Sequence, residues 1–145
     1  MTNEVDIVSR WKSHGGEQLV FEHESRATGT SMECSLYLPP DQEYPPVVYY
    51  LSGLTCTWEN VTTKGGYQAV ASELGVAVVA PDTSPRGPEV HDVDRWDLGT
   101  GAGFYVDADA QPWASHYQMY TYTFDELPAT VEASFPVADD RRAVM

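Results

Sequence analysis

The residues best placed to do chemistry in this sequence are Ser52-Gly53-Leu54-Thr55-Cys56, where an apolar run breaks into small and polar types. The run before them, Val47-Val48-Tyr49-Tyr50-Leu51, is continuously β-branched and aromatic apart from its leucine. That composition suits a strand buried on both faces. Open α/β sheets bind ligands just past the carboxyl ends of such strands. Backbone N–H groups freed there can face a developing oxyanion, and glycine lets a reacting carbonyl approach closely. Two readings fit the spacing: an oxyanion-hole loop, or an ordinary small-residue turn from strand to helix.

Other chemistry finds little footing. A metal site needs ligands at converging spacings, and His14, His23, His91 and His116 are scattered while Cys34 and Cys56 lie far apart. No G-x-x-x-x-G-K-[ST] and no G-x-G-x-x-G occurs. Gly99-Thr100-Gly101-Ala102-Gly103 looks like a phosphate loop but follows no apolar strand and precedes no evident helix. There is no G-x-S-x-G nucleophile elbow. Neither Ser52 nor Ser84 sits at a glycine-flanked strand-to-helix turn, so neither qualifies as a nucleophile.

The elements that must hold the Ser52–Cys56 loop come in a readable order. Val5 to Lys12 and Gln18 to Ser25 flank Gly15-Gly16 and read as a β-hairpin. Met32, Cys34, Leu36 and Leu38 alternate as a third strand that Pro39-Pro40 ends; Cys34 is a core residue on it. Tyr67, Val70, Ala71 and Leu74 recur at helical spacing, so Val61 to Gly75 reads as a helix, or as one that starts after Gly65-Gly66, which weaken its first turns. Val76 to Ala80 is a second apolar strand, which completes a βαβ unit and makes the strands at 47 and 76 parallel. Thr83 to Trp113 reads as an ordered excursion over the carboxyl end of the sheet, because its aromatics argue against disorder. Met119, Tyr120, Phe124, Leu127, Val131 and Phe135 form the core-facing stripe of a helix from His116 to Phe135, kinked at Pro128. Arg141 to Met145 begins a further parallel strand.

Composition sets outer limits. The 145 residues suffice for one modest domain. The net charge of −14 opposes nucleic acid and anionic membrane as partners and suits a well-solvated, even salt-adapted, surface. No stretch reads as a signal peptide or a membrane span. Two cysteines fit a reduced, cytoplasmic protein.

Several long strings together resemble one family. They are Leu51 to Thr57 with Asn60, Pro81-Asp82-Thr83-Ser84-Pro85-Arg86-Gly87, Trp96 to Ala108, Pro112-Trp113, Tyr117 to Tyr120, and Glu126-Leu127-Pro128. In this order they resemble S-formylglutathione hydrolase, the esterase D family, from about Val8 onward. The resemblance implies an α/β-hydrolase fold, a mixed, mostly parallel sheet with helices on both faces. It implies hydrolysis of the small-molecule thioester S-formylglutathione to glutathione and formate in formaldehyde detoxification. It further implies a cytoplasmic serine hydrolase with no cofactor, no metal, no nucleic-acid or membrane partner, and homodimerisation at full length.

In that family the strand matching Ala143-Val144-Met145 runs into a G-H-S-M-G-G elbow, and the triad Asp and His follow it. The expectation is therefore an incomplete α/β-hydrolase domain over 1–145, truncated before the elbow, with no triad member present and no activity of its own. The resemblance assigns the oxyanion N–H to Leu54, with Thr55 as the alternative, and the loop's shape to Ser52 and Gly53. It places Cys56, Arg86, Trp96, Phe104, Tyr105 and Trp113 in the substrate pocket. Cys56 reads equally as a thiol-sensitive site and as a small buried residue. Arg86 reads as a partner for a glutathione carboxylate or as a structural salt bridge. The four aromatics read as pocket wall or as a satellite core under the long loop. Rival functions are a feruloyl- or acetyl-esterase of the same fold and a non-catalytic binding module.

Overall fold

The computed structural model describes residues 4–145. Two strands, β1 (Val5–Ser13) and β2 (Gly16–Glu24), form the expected hairpin. His14 and Gly15 at its tip both have positive φ, 47° and 78°, as the tight primed turn joining twisted strands requires. Strand β3 (Ser31–Leu38) pairs antiparallel with β2. Strands β4 (Val47–Tyr49) and β5 (Ala77–Pro81) pair in parallel, and β5 also pairs antiparallel with β3. Strand β6 (Arg142–Val144) runs parallel to β4. The sheet order is β1-β2-β3-β5-β4-β6. The βαβ unit read from the sequence is thus present, and it joins an antiparallel wing.

Helices cover both faces. Helix α1 (Trp58–Lys64) and helix α2 (Gln68–Leu74) connect β4 to β5. The sequence reads as one helix over Val61 to Gly75 or from after Gly65-Gly66; the chain makes two, and the second does begin after those glycines. The first starts earlier because Thr57 and Asn60 form a reciprocal cap on the initial N–H groups. It stops at Gly65-Gly66, where Gly66 turns to φ 65°. Ala71 and Tyr67 pack on Tyr37 and Val78 on that face.

The opposite face takes α3 (Met119–Thr121), a π-helical stretch (Tyr122–Glu126) and α4 (Leu127–Ser134) in continuous succession. The helix read from His116 therefore starts at Met119. Pro128 has no N–H to offer the preceding turn, and the backbone widens there: Leu127 N–H reaches the carbonyl of Tyr122. The added residue rotates the stripe. Met119, Tyr122, Leu127 and Val131 are fully buried against Leu36, Val47 and Val79. Tyr120 and Phe124, read as core from their spacing, are exposed.

Burial is uneven across the sheet. Most of β2, β3 and β5 is sealed, whereas Arg142, Ala143 and Val144 of β6 are all exposed. Among the described residues no helix is long and apolar enough to cross a membrane.

Candidate active site

The candidate site sits where β4 ends. Backbone pairing outlasts the strand itself: Tyr50 N–H donates to Val79 and Leu51 N–H to Met145. The chain then reverses in a β-turn over Gly53–Cys56, closed by Cys56 N–H to Gly53 carbonyl at 3.2 Å. Thr55 occupies the third turn position with φ 67°. A turn of that kind ordinarily has glycine or asparagine there, and a β-branched residue is a genuine outlier. Such a conformation costs about 1–3 kcal/mol and persists only where its surroundings enforce it.

The enforcement comes from two other segments. Gly101 carbonyl accepts from Thr55 N–H at 2.7 Å. Cys56 carbonyl accepts from the Thr83 hydroxyl at 2.5 Å and, more weakly, from Arg86 Nη2 at 3.4 Å. Arg86 is in turn held by Asp82 through Nε at 2.7 Å and Nη2 at 3.1 Å. The Tyr105 hydroxyl donates to Ser52 carbonyl at 2.7 Å. Burial raises the Tyr105 pKa, with nearby Asp82 adding to it, so the phenol stays a donor. Gly103, at φ 73°, lies so close that a Cβ there would meet Gly53 C and Leu54 N at 3.1 and 3.2 Å. Only glycine fits that approach.

The donors left over decide what the loop can do. From Leu54 to Thr57, Thr55 N–H is taken by Gly101, Cys56 N–H by Gly53 and Thr57 N–H by the Asn60 side chain. Among the described residues Leu54 N–H has no acceptor, nor has that of exposed Gly53 beside it. The loop therefore leaves Leu54 N–H unpaired, flanked by that of Gly53, whereas Thr55 N–H is already committed to Gly101.

The remaining expected site residues are distributed as follows. Cys56 is half-buried in the loop itself. The two Arg86 nitrogens bonded to Asp82 face a carboxylate of this chain, which largely neutralises the local positive charge. Phe104 and Trp113 line a cavity of about 120 Å³ with Leu98, Gly103, Tyr117 and Met119. Trp113 also meets His91 and Tyr117 edge-on, at 4.7 and 5.2 Å between ring centroids, so it belongs to a satellite core of the long loop as well. Trp96 is 68% exposed and is not among the residues that line that cavity. Cys34 is fully buried with its thiol 3.2 Å from the Tyr122 hydroxyl, and burial pushes its pKa up to about 12. Among the described residues no cluster of histidines, cysteines and acids could hold a metal.

Sequence reasoning did not single out Asp82, Thr83, Gly101 or Gly103 by role. Nothing local marks Gly101 and Gly103, because their function is to approach residues about fifty positions away.

A mixed sheet with helices on both faces and free N–H groups beyond a parallel strand defines an α/β-hydrolase scaffold of esterase type. A model of the family described as putative esterase matches residues 25–145. An S-formylglutathione hydrolase from Paracoccus denitrificans is 52% identical over 145 residues, covering 99% of this chain and 51% of the relative. The solved S-formylglutathione hydrolase from Agrobacterium tumefaciens superposes with a TM-score of 0.94 at 48% identity, over 96% of this chain and 51% of that one. A ferulic acid esterase from Anaeromyces mucronatus, 17% identical with a TM-score of 0.67, covers 93% of this chain and 51% of its own and shares the fold. The chain belongs to the putative esterase family, within which it is similar to S-formylglutathione hydrolases. It spans about half the length of the curated relatives it matches.

Proposed function

We propose that residues 1–145 are one part of a single α/β-hydrolase domain about twice as long, acting on S-formylglutathione in the cytoplasm. Two observations support the domain reading. The chain spans half of its relatives. The exposed edge of β6 and the apolar Val144 beside it leave room for further sheet. Cys34 and Cys56 are both free thiols, in keeping with a reducing compartment.

The observation that carries the functional reading is the unpaired Leu54 N–H on a loop whose other N–H groups, from Thr55 to Thr57, are occupied. In thioester hydrolysis a serine oxygen attacks the formyl carbon, and the carbonyl oxygen takes the negative charge. One fixed donor to that oxygen typically lowers the barrier by about 3 kcal/mol. Collapse expels the glutathione sulfur, which takes a proton, and water then releases formate from the serine. The serine, its histidine and its aspartate come from the remainder of the domain. Because Leu54 contributes through its backbone, loop shape outweighs side-chain identity at that position.

The test compares the full-length chain with residues 1–145 alone. Both are assayed with S-formylglutathione, a feruloyl ester and p-nitrophenyl acetate. Turnover by the full-length chain with the highest kcat/KM on S-formylglutathione, and none by residues 1–145, is expected. A higher kcat/KM on the feruloyl ester overturns the substrate reading. Turnover by purified residues 1–145 overturns the reading of the domain.

A further inference from the structure

Thr55 is held in a left-handed conformation that its β-branched side chain disfavours, and the peptide group before it and the one after Cys56 are both gripped from outside the turn. The grip on one side is a backbone carbonyl, that of Gly101. On the other side it is side chains: the Thr83 hydroxyl and the Arg86 guanidinium converge on the Cys56 carbonyl. Asp82 organises both. Its Oδ1 accepts from Thr83 N–H at 2.7 Å and from Arg86 Nη2 at 3.1 Å, while Oδ2 takes Arg86 Nε at 2.7 Å. Asp82 and Thr83 are buried, and Arg86 is half-buried.

We propose that Asp82, Thr83 and Arg86 form a clamp on the Cys56 carbonyl that positions the Leu54 N–H for the oxyanion. This rests on the hydrolase reading above and deepens it. Arg86 is then a positioning residue acting through the loop, and its charge serves Asp82 before any substrate carboxylate. The logic is that a turn relaxing away from positive φ at Thr55 would rotate the adjoining peptide groups and loosen the Cys56 N–H bond to the Gly53 carbonyl, which shares its peptide group with Leu54 N–H. An oxyanion donor works only when its direction is fixed before the charge develops. Thr83 is well suited because it is a short, buried donor aimed at the carbonyl immediately after the strained residue. Arg86 adds a second, longer bond and braces the carboxylate that orients Thr83.

The test uses full-length protein carrying Arg86→Gln, Thr83→Val, Thr83→Ser, Thr55→Gly, and Arg86→Gln combined with Thr55→Gly. Each is assayed on S-formylglutathione and on neutral p-nitrophenyl acetate, with thermal melts and the inhibition constant of a boronic acid that forms a tetrahedral adduct. Arg86→Gln and Thr83→Val are expected to lose about 10–100-fold in kcat on both substrates, with KM within about twofold, part of the loss that deleting an oxyanion donor causes. Boronate affinity should fall in step, and Thr83→Ser should retain activity. Glycine adopts positive φ without strain, so Arg86→Gln should cost less in the Thr55→Gly background. That interaction is a readout that loss of packing would not produce.

A rise in KM confined to S-formylglutathione overturns the clamp and makes Arg86 a substrate contact. Lowered melting temperature with unchanged kcat also overturns it, leaving a purely structural ion pair. Failure of Arg86→Gln to fold leaves Thr83→Val and Thr83→Ser to decide. Wild-type protein active on the ester and inert to S-formylglutathione overturns the substrate reading alone, and the clamp is still judged on the ester. Protein inert to both substrates overturns both proposals.

Discussion

The antiparallel wing and the loop rim beyond β4 hold their residues by different forces, and the two cysteines show it. Cys34 lies in the wing with no exposed surface, among Phe21, Leu36 and Tyr122, where apolar burial does the holding. Cys56 lies on the rim, half-buried, where a hydrogen bond to the Gly53 carbonyl and others from Thr83 and Arg86 do it. The wing gains from removing side chains from water and tolerates no polar group without a partner. The rim gains little from burial; Gly53, Leu54 and Thr55 are exposed. It is kept in shape by directional bonds to segments far along the chain, and it can therefore present a donor outward. Stability and site are thus built from separate materials within one sheet.

Four outcomes would break or sharpen that contrast. The largest concerns thiol access. Under native conditions iodoacetamide should label Cys56 and spare Cys34 by at least about 1,000-fold in rate. Exposing Cys34 requires opening the wing, and core regions open with free energies approaching global stability. Its pKa of about 12 also keeps it from being a thiolate. Mass-spectrometric labelling rates check this; comparable rates would mean that the wing is not sealed. In full-length protein the label on Cys56 should also block turnover, while Cys56→Ala remains active.

The next outcome is energetic. Leu127→Ala removes a fully buried side chain and should cost about 2–5 kcal/mol. Trp96→Ala, on the exposed loop, should cost less than about 0.5 kcal/mol. Urea unfolding of both variants measures the gap. Equal costs would show that the long loop bears on stability as much as the core that α4 packs against the sheet does.

Smaller is the cap that ends the rim. The Thr57 hydroxyl accepts from Glu59 N–H at 3.1 Å, and Thr57 N–H donates to Asn60 Oδ1 at 2.9 Å. Thr57→Ala should cost about 1 kcal/mol. Hydrogen exchange should then quicken across α1 and leave β2 and β3 unchanged. Faster exchange in the strands would couple two regions that the contrast holds apart.

The smallest is a pH effect on the wing. His23 is buried beside Tyr122, with its Nε2 3.0 Å from the hydroxyl. Burial lowers its pKa from 6.5, partly offset by Glu126, Glu24 and a backbone bond. The unfolded chain then binds a proton that the folded chain refuses. Stability from this group is full above pH 6.5 and is lost as pH falls through the folded value. Unfolding free energies from urea titrations between pH 7.5 and pH 5 should fall more steeply for the protein than for His23→Gln. Parallel curves would mean that the wing admits the charged ring.

The sequence made much of this legible because local rules agree with the fold there. The apolar runs at Val47–Leu51 and Val76–Ala80 became β4 and β5, and the Gly15 turn closed the hairpin. It misread Val61–Gly75 as one helix because side-chain periodicity is blind to the cap at Thr57, and it misread Tyr120 and Phe124 because a π-turn shifts the face by one residue. The Ser52–Cys56 loop stood out by composition, which is why it was the first candidate, and the family strings assigned its donor to Leu54 or Thr55.

Which N–H remained free was beyond the sequence, since it depends on what every neighbouring donor has already bonded. Gly101, Thr83 and Arg86 reach the loop only after β5 and the long excursion fold back over it. The amino-acid order determined the strands, the helices and the glycines that permit close approach, because those follow from propensity, periodicity and the absence of a Cβ. That Thr55 N–H is bonded while Leu54 N–H is not, and that Arg86 pairs with Asp82, was decided by tertiary structure. Hydrogen bonds are directional and each donor is spent once, so only the assembled geometry says which are left.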